Sequence, residues 1–194
     1  MYSVDSVIKF GNHDWRVLNV QDDKILILSE NIIETRAYHY TDEYTTWSEC
    51  DLRKYLNGDF LNKTFSQEDR DRILDTEVVT NSNTWFGTDG GLPTTDKIFL
   101  LSLEEVIQYF GDSGQLKSRS GKVNWFSDEY LLLRVAYDKS GESSWWWLRS
   151  PGKRANRSAC VNCAGGIHVR GRLVDDYIAG YAGVRSALWL KANR

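Results

Sequence analysis

The chain has 194 residues, of which 41% are hydrophobic, 13% aromatic and 26% charged, so it is long enough and apolar enough to bury a substantial core. A formal net charge of -3 disfavours a dedicated nucleic-acid binder, and no apolar run approaches the roughly 20 residues that a membrane span needs. The start of the sequence lacks the pattern of a signal peptide, and with three cysteines we expect reduced thiols instead of a disulfide framework.

The first 30 residues predict an antiparallel meander. Apolar runs place three strands at Val7–Phe10, Trp15–Val20 and Lys24–Ser29, with a turn at Gly11 and Asn12 between the first two. These strands are expected to pair in the order in which they occur in the chain.

Three Ser-x-x-Asp/Glu patterns predict the starts of short helices. The capping boxes begin at Ser48, Ser66 and Ser102, and a run with helical spacing follows each of them. The corresponding helices are expected to end at Asn57 and Gly58, near Asp75, and at Gly111.

Four later runs are rich in apolar residues and predict strands. They are Lys97–Leu101, YLLLRVAY (130–137), SSWWWLRS (143–150) and GVRSALWLKANR (183–194). The second and third are apolar on both faces, which is typical of a central strand. Helices between an early meander and a late group of strands predict one α+β domain over residues 1–194.

Several of these segments together resemble a known family. TWSECDLRKYLNGDFLNKTFSQEDRDRI, TTDKIFLLSLEEVIQYF, WWLRSPG and GVRSALWL are similar to motifs of a widespread bacterial and phage family of domains of unknown function, over Ile8 to Leu190. That family typically ends in Gly-Val-Arg-Pro-Ala-Leu, whereas this chain has Ser186 in place of the proline. Several members are the variable proteins of diversity-generating retroelements, which resemble a C-type lectin fold. The resemblance implies a C-type-lectin-like domain with a variable region within residues 145–190.

The composition of the C-terminal part agrees with such diversification. In these retroelements adenines are miscopied, and an Asn codon ending in a pyrimidine cannot then become Lys, Glu, Gln, Met or Trp. These five types make up 33 of the 194 residues, so 30 residues would hold about five of them. The stretch from Arg154 to Gly183 holds none. A glycine-rich surface loop would also lose Met and Trp, so the deficit supports diversification without establishing it.

The same stretch has no helical or strand period of its own, and we interpret it as a display surface. Buried anchors are expected at Trp145–Leu148 and Val184–Leu190, so that the exposed residues between them can vary without loss of the fold. The candidate ligand-binding residues are Asn156, Arg157, Ser158, Cys160, Asn162, Cys163, Ala164, His168, Arg170, Arg172, Asp175, Asp176, Tyr177, Ala179 and Tyr181.

Two residue types within this set suggest the kind of ligand. Tyr177 and Tyr181 are the expected energetic anchors, because tyrosine and arginine dominate binding hot spots. Arg157, Arg170 and Arg172 give the surface a positive charge, which favours an acidic or mixed-charge protein partner.

Other patterns support alternatives. Cys160-x-x-Cys163 is similar to a redox pair or half of a zinc site, but no second pair completes it, and His13, His39 and His168 are scattered. We therefore expect no catalysis, no metal and no cofactor. An invariant adhesin, carbohydrate-binding module or phage tail module of the same fold stays open, as does an enzyme that resembles the formylglycine-generating family and uses one of these cysteines. No location is assigned, since a phage virion and a cell surface both fit.

Overall fold

The computed structural model describes residues 2–112, 114, 125–176 and 182–192. Strands and short helices together make an α+β fold, as predicted. The strands are β1 (Val7–Phe10), β2 (His13–Val20), β3 (Lys24–Ser29), β4 (Glu34–Thr35), β5 (Thr76–Val78), β6 (Thr94–Asp96), β7 (Trp125–Phe126), β8 (Ala136–Tyr137), β9 (Ser143–Ser144), β10 (Trp146–Pro151), β11 (Arg157–Val161), β12 (Ile167–Leu173), β13 (Gly183–Val184) and β14 (Ala187–Lys191).

The helices are short. They are α1 (Asp51–Tyr55), which continues through a π-helical turn (Leu56–Phe60) into α2 (Leu61–Thr64), followed by α3 (Gln67–Arg72), α4 (Leu103–Phe110) and α5 (Leu131–Arg134). None of these helices is long and apolar enough to cross a membrane.

The N-terminal meander is confirmed and becomes one sheet with the C-terminal strand. Its strand order is β1-β2-β3-β14, and all its pairs are antiparallel. Leu188 of β14 lies opposite Ile27 of β3, and both side chains are fully buried. The last strand of the chain thus pairs with the third one, far away in sequence.

A second sheet has six strands in the order β4-β13-β10-β11-β12-β7, with β10 in the middle. All six residues of β10 are buried, as expected for a central strand. Successive tryptophans point to opposite faces. The indole of Trp146 donates to the carbonyl of Arg134 at 3.0 Å, and that of Trp147 donates to the carbonyl of Arg36 at 2.9 Å. The tryptophan run is therefore core packing that also connects distant loops.

Helix α4 is joined to β10 through its predicted capping box. Ser102 caps the helix, and the carboxylate of Glu105 accepts a hydrogen bond from the amide of Ser102 at 2.8 Å. The same carboxylate pairs with the buried Arg149 of β10. The hydroxyl of Ser150 accepts from the amide of Leu103 at 2.9 Å. The Arg-Ser of the WWLRSPG motif thus holds the start of α4 against the sheet.

The capping box at Ser66 is also confirmed, but the one at Ser48 is wrong. The cap of α1 is Cys50, whose sulfur accepts from the amide of Arg53 at 3.4 Å, whereas the hydroxyl of Ser48 is 2.8 Å from that of Thr46. This helix also continues beyond Asn57 and Gly58, because Phe60 and its neighbours extend the buried side of the helix through the π-helical turn.

Two of the predicted strands differ in the structure. Residues 130–137 form α5 and then the short β8, because Arg134 turns inward to a buried ion pair with Asp128 at 2.8 Å and leaves Leu132 and Leu133 exposed. In the predicted strand at Lys97–Leu101 only Phe99 makes a β-bridge, while its apolar residues are buried as expected. Pairing in that region occurs just before it, in β6.

Candidate ligand-binding surface

The segment that follows Trp145–Leu148 is a β-hairpin, contrary to the expectation of an unpatterned loop. Strands β11 and β12 pair antiparallel, with a register shift between Ser158 and Cys160. Gly171 makes this bulge possible: its φ is +73°, and a Cβ atom there would lie 2.4 Å from the carbonyl oxygen of Ser158. The expected anchors on either side, Trp145–Leu148 and Val184–Leu190, are buried apart from a half-buried Trp189.

Three predicted binding residues lie in the interior, which corrects the expectation that they are displayed. Ser158, Cys160 and His168 are 1%, 0% and 8% exposed. The hydroxyl of Ser158 donates to the carbonyl of Leu148 at 2.7 Å, and Cys160 lies opposite Trp147 in the sheet. The Cys160 sulfur is 3.8 Å from Nδ1 of His168. These side chains face the core because a strand alternates between its two faces.

Three more predicted residues form the hairpin turn. The side-chain oxygen of Asn162 accepts hydrogen bonds from the amides of Ala164 and Gly166 at 2.9 and 2.8 Å, so it shapes the turn itself. Cys163 and Ala164 are exposed. This turn lies at the far end of β11 from Arg157, and it therefore does not join the remaining candidates.

The remaining described candidates lie together at the other end of the hairpin, which we call the arginine end. It consists of Asn156, Arg157, Arg170, Arg172, Asp175 and Asp176. The guanidinium of Arg157 donates to the carbonyl of Gly171 at 2.9 Å, and that of Arg172 pairs with Asp176 at 3.2 Å and lies 4.6 Å from the ring centre of Trp145. Arg170 is exposed.

A neighbouring segment that the sequence reasoning missed borders the arginine end. We call residues 36–45 the tyrosine loop. The amide of His39 donates to the carbonyl of Val174 at 2.9 Å, and the side chain of Asn156 donates to Asp42 at 2.7 Å. Tyr40 and Tyr44 are 56% and 80% exposed. The sequence YHYTDEY was the available signal, because it combines three tyrosines with acidic residues and has no strand or helix period.

The predicted anchors Tyr177 and Tyr181, together with Ala179, lie outside the described residues. The hydrogen bonds from His39 to Val174 and from the amide of Arg36 to the carbonyl of Ala182 place the tyrosine loop beside both ends of that segment.

A family profile described as "Domain of unknown function (DUF6273)" matches residues 22–192. The chain belongs to the DUF6273 family. No curated protein and no solved structure matches it. The matched part of this DUF6273 domain begins after β2 and ends after β14, so it contains both the arginine end and the tyrosine loop.

The three arginines of the DUF6273 domain act on one buried imidazole. Burial lowers the pKa of His168 to about 4, and the charges of Arg172, Arg157 and Arg170 lower it further in the same direction. His168 is therefore neutral at physiological pH. All three guanidinium groups lie close enough to contribute to the electrostatic potential at this point, which is consequently positive.

The cysteines of the DUF6273 domain are all free thiols. Burial raises the pKa of Cys160 to about 12, so its thiolate is scarcely populated at neutral pH. Cys163 is exposed, while Cys160 is buried among core side chains. In the described ranges no three His, Cys, Asp or Glu side chains come together as metal ligands.

Proposed function

We propose that this DUF6273 domain is a non-catalytic binding protein whose ligand surface consists of the arginine end and the tyrosine loop. The observation that carries the proposal is their contiguity: two stretches about 115 residues apart in sequence are joined by the Asn156–Asp42 hydrogen bond into one surface. Arginine and tyrosine are the residue types that interfaces favour most, and here they share that surface.

The charge of the surface supports a protein ligand with an acidic centre. Arg157, Arg170 and Arg172 provide positive charge, of which Asp176 offsets that of Arg172 alone. Asp42 and Asp175 lie at the borders, so a partner with acidic residues opposite the arginines and basic ones at its edge is complementary. Tyr40 and Tyr44 add apolar area with little loss of side-chain entropy.

The finer assignments of fold and family role form part of this proposal. An α+β domain with short helices is compatible with the C-type-lectin-like fold that the sequence resemblance implies. Diversification by a retroelement would have to act on the exposed positions, because random replacement of Ser158, Cys160 or His168 would disturb the core. A thiol enzyme receives less support, since nucleophilic chemistry requires a thiolate and Cys160 is buried and protonated.

Peptide display tests the binding function. The immobilised protein would be panned against a random peptide library, in parallel with the triple variant R157S/R170S/R172S and a control variant K9S/K54S/K63S that removes three exposed lysines elsewhere. We expect the wild type and the control to enrich acidic peptides with dissociation constants in the micromolar range. The arginine variant should bind the same peptides at least tenfold more weakly.

Two results would contradict this proposal. Equal binding by the arginine variant and the wild type would show that the ligand lies elsewhere on the molecule. Binding on a glycan array together with failure to enrich peptides would favour the carbohydrate alternative, for which Tyr40 and Tyr44 are the exposed aromatic residues.

Comparison of gene copies tests diversification separately. A template repeat beside a reverse-transcriptase gene is expected, with substitutions at adenines of the codons for the arginine end and for Cys163 and Ala164. Codons 158, 160 and 168 should be unchanged. Substitutions spread equally over buried and exposed codons, or the lack of any template, would overturn this part of the proposal.

A further inference from the structure

A cavity of about 460 Å³ lies on a different part of the molecule from the arginine end. Its walls come from the first two strands, the end of α4, α5 and the residue after β13, and they include Arg16, Glu30, Phe110, Leu133 and Arg185. This volume is within the range of small-molecule sites. None of the three arginines at the arginine end lines it.

Arg185 is a buried cation whose hydrogen bonds are incomplete. The side chain is 1% exposed, and its Nε donates to the carbonyl of Ser29 at 2.8 Å. The guanidinium lies 5.5 Å from the ring centre of Phe110 and 5.2 Å from that of Trp146. Among the described residues, no acceptor binds its Nη1. Such a group is costly unless a partner is supplied.

The guanidinium of Arg185 is the part of the residue that reaches the cavity. Phe110 and Glu30, which also line the cavity, interact with that group through the ring contact and through charge. Glu30 does not neutralise it fully, because both carboxylate oxygens of Glu30 are bound by Arg16. The inner end of the cavity therefore holds two cations and one anion. Asp5 lies at the exposed rim.

The mouth of the cavity is apolar. Leu132 and Leu133 of α5 are 85% and 58% exposed, and Tyr137 is 48% exposed. Large aliphatic side chains at such exposure around a cavity are typical of a binding site. The cavity thus has an apolar entrance and an unsatisfied cation at its inner end.

We infer that this cavity binds an organic carboxylate on an apolar chain, with the carboxylate on Nη1 of Arg185 and the chain against Leu132 and Leu133. A carboxylate supplies the missing acceptor and the missing negative charge together. A fatty acid and the C-terminus of a peptide ending in an apolar residue both have this chemistry.

Calorimetric titration of the full chain tests the inference with matched probes. The probes are octanoate against octanamide, and a short peptide ending in leucine with a free carboxylate against its C-terminal amide. We expect at least one acid to bind ten times more tightly than its amide. The pair that shows this preference identifies the source of the carboxylate. Acetate should bind far more weakly than octanoate.

Variants connect this binding to the cavity. L133D places a negative charge at the mouth without touching the core, and it should weaken binding at least tenfold. L92D changes an equally accessible leucine outside the cavity and should have no effect. R185M should remove the preference for acid over amide, and L133D still decides the matter if R185M does not fold. The variant R157S/R170S/R172S should bind the probe normally, which separates this site from the proposed protein-binding surface.

Three results would overturn the inference. They are equal affinity for acid and amide, affinity for acetate equal to that for octanoate, and unchanged binding by L133D. If no probe binds at all, the cavity holds only water and the inference is wrong.

Discussion

The β11–β12 hairpin contains two groups of polar side chains that lie a few residues apart and differ completely in surroundings. Ser158, Cys160 and His168 are enclosed by core residues, whereas Arg157, Arg170 and Arg172 remain accessible. The two groups cannot be told apart by polarity or by sequence neighbourhood. The alternation of the strands and the bulge at Gly171 decide which residue faces the core.

This difference limits what a binding surface on a sheet can do. Where every second side chain of a strand faces the core, only part of the segment can be replaced freely. Variation on such a scaffold must therefore follow the strand period or concentrate in the adjoining loops. The tyrosine loop has no such restriction at Tyr40 and Tyr44, which makes it a natural extension of the surface.

Replacing Gly171 by valine would break the distinction between the two groups and should have the largest effect. A β-branched residue at φ +73° is strained, and its Cβ would lie 2.4 Å from the carbonyl oxygen of Ser158. We expect G171V to lower the free energy of unfolding by about 4 kcal/mol. Denaturant titration monitored by tryptophan fluorescence would measure this loss.

The matched control for that experiment is Gly58 in the π-helical turn. Its φ is not positive, and no atom lies within 4 Å of the position that a Cβ would occupy. G58A should therefore be neutral or stabilising by about 0.5–1 kcal/mol. Equal losses for G171V and G58A would mean that the bulge does not depend on a glycine.

The buried imidazole gives a pH dependence with a definite sign. His168 has an unfolded pKa of 6.5 and a folded pKa of about 4, so the unfolded chain binds more protons between these values. Its contribution to stability is complete above pH 6.5 and is lost as the pH falls towards 4, by about 3 kcal/mol in all. The free energy of unfolding should be measured from pH 7.5 to 4 for the wild type and for H168Q.

The difference between those two curves isolates the histidine, because all other titrating groups are shared. The curve of H168Q should be flatter between pH 6.5 and 4. Parallel curves would indicate that the imidazole titrates as an exposed group and does not lie beneath the arginines.

Much of the fold could be predicted from local patterns. The boundaries of β1 and β3 follow directly from apolar runs, and α3 and α4 begin where Ser66 and Ser102 cap them. Residues 130–137 could not be predicted in this way, since the direction of Leu132 and Leu133 depends on the ion pair between Arg134 and Asp128. Long-range pairs of this kind leave no periodic trace in the sequence.

The candidate site was predictable only at the level of residue type. The arginines at the end of the hairpin were recognised, but their contact with the tyrosine loop depends on a hydrogen bond between Asn156 and Asp42, which are far apart in the chain. The burial of Ser158 was missed because serine is usually exposed. Its hydroxyl is accommodated in the core by the carbonyls of Leu148 and Ser150.

The smallest effects are expected when one member of each group is changed in turn. S158A removes the hydrogen bonds to Leu148 and Ser150 and should cost about 1–2 kcal/mol of unfolding free energy, since the two carbonyl groups lose a partner in the core. R170S should change that free energy by no more than about 0.5 kcal/mol, because the side chain is exposed. Both can be compared in the same denaturant titration. A larger loss for R170S than for S158A would reverse the assignment of the two groups, because the arginine would then support the fold and the serine would be the free position.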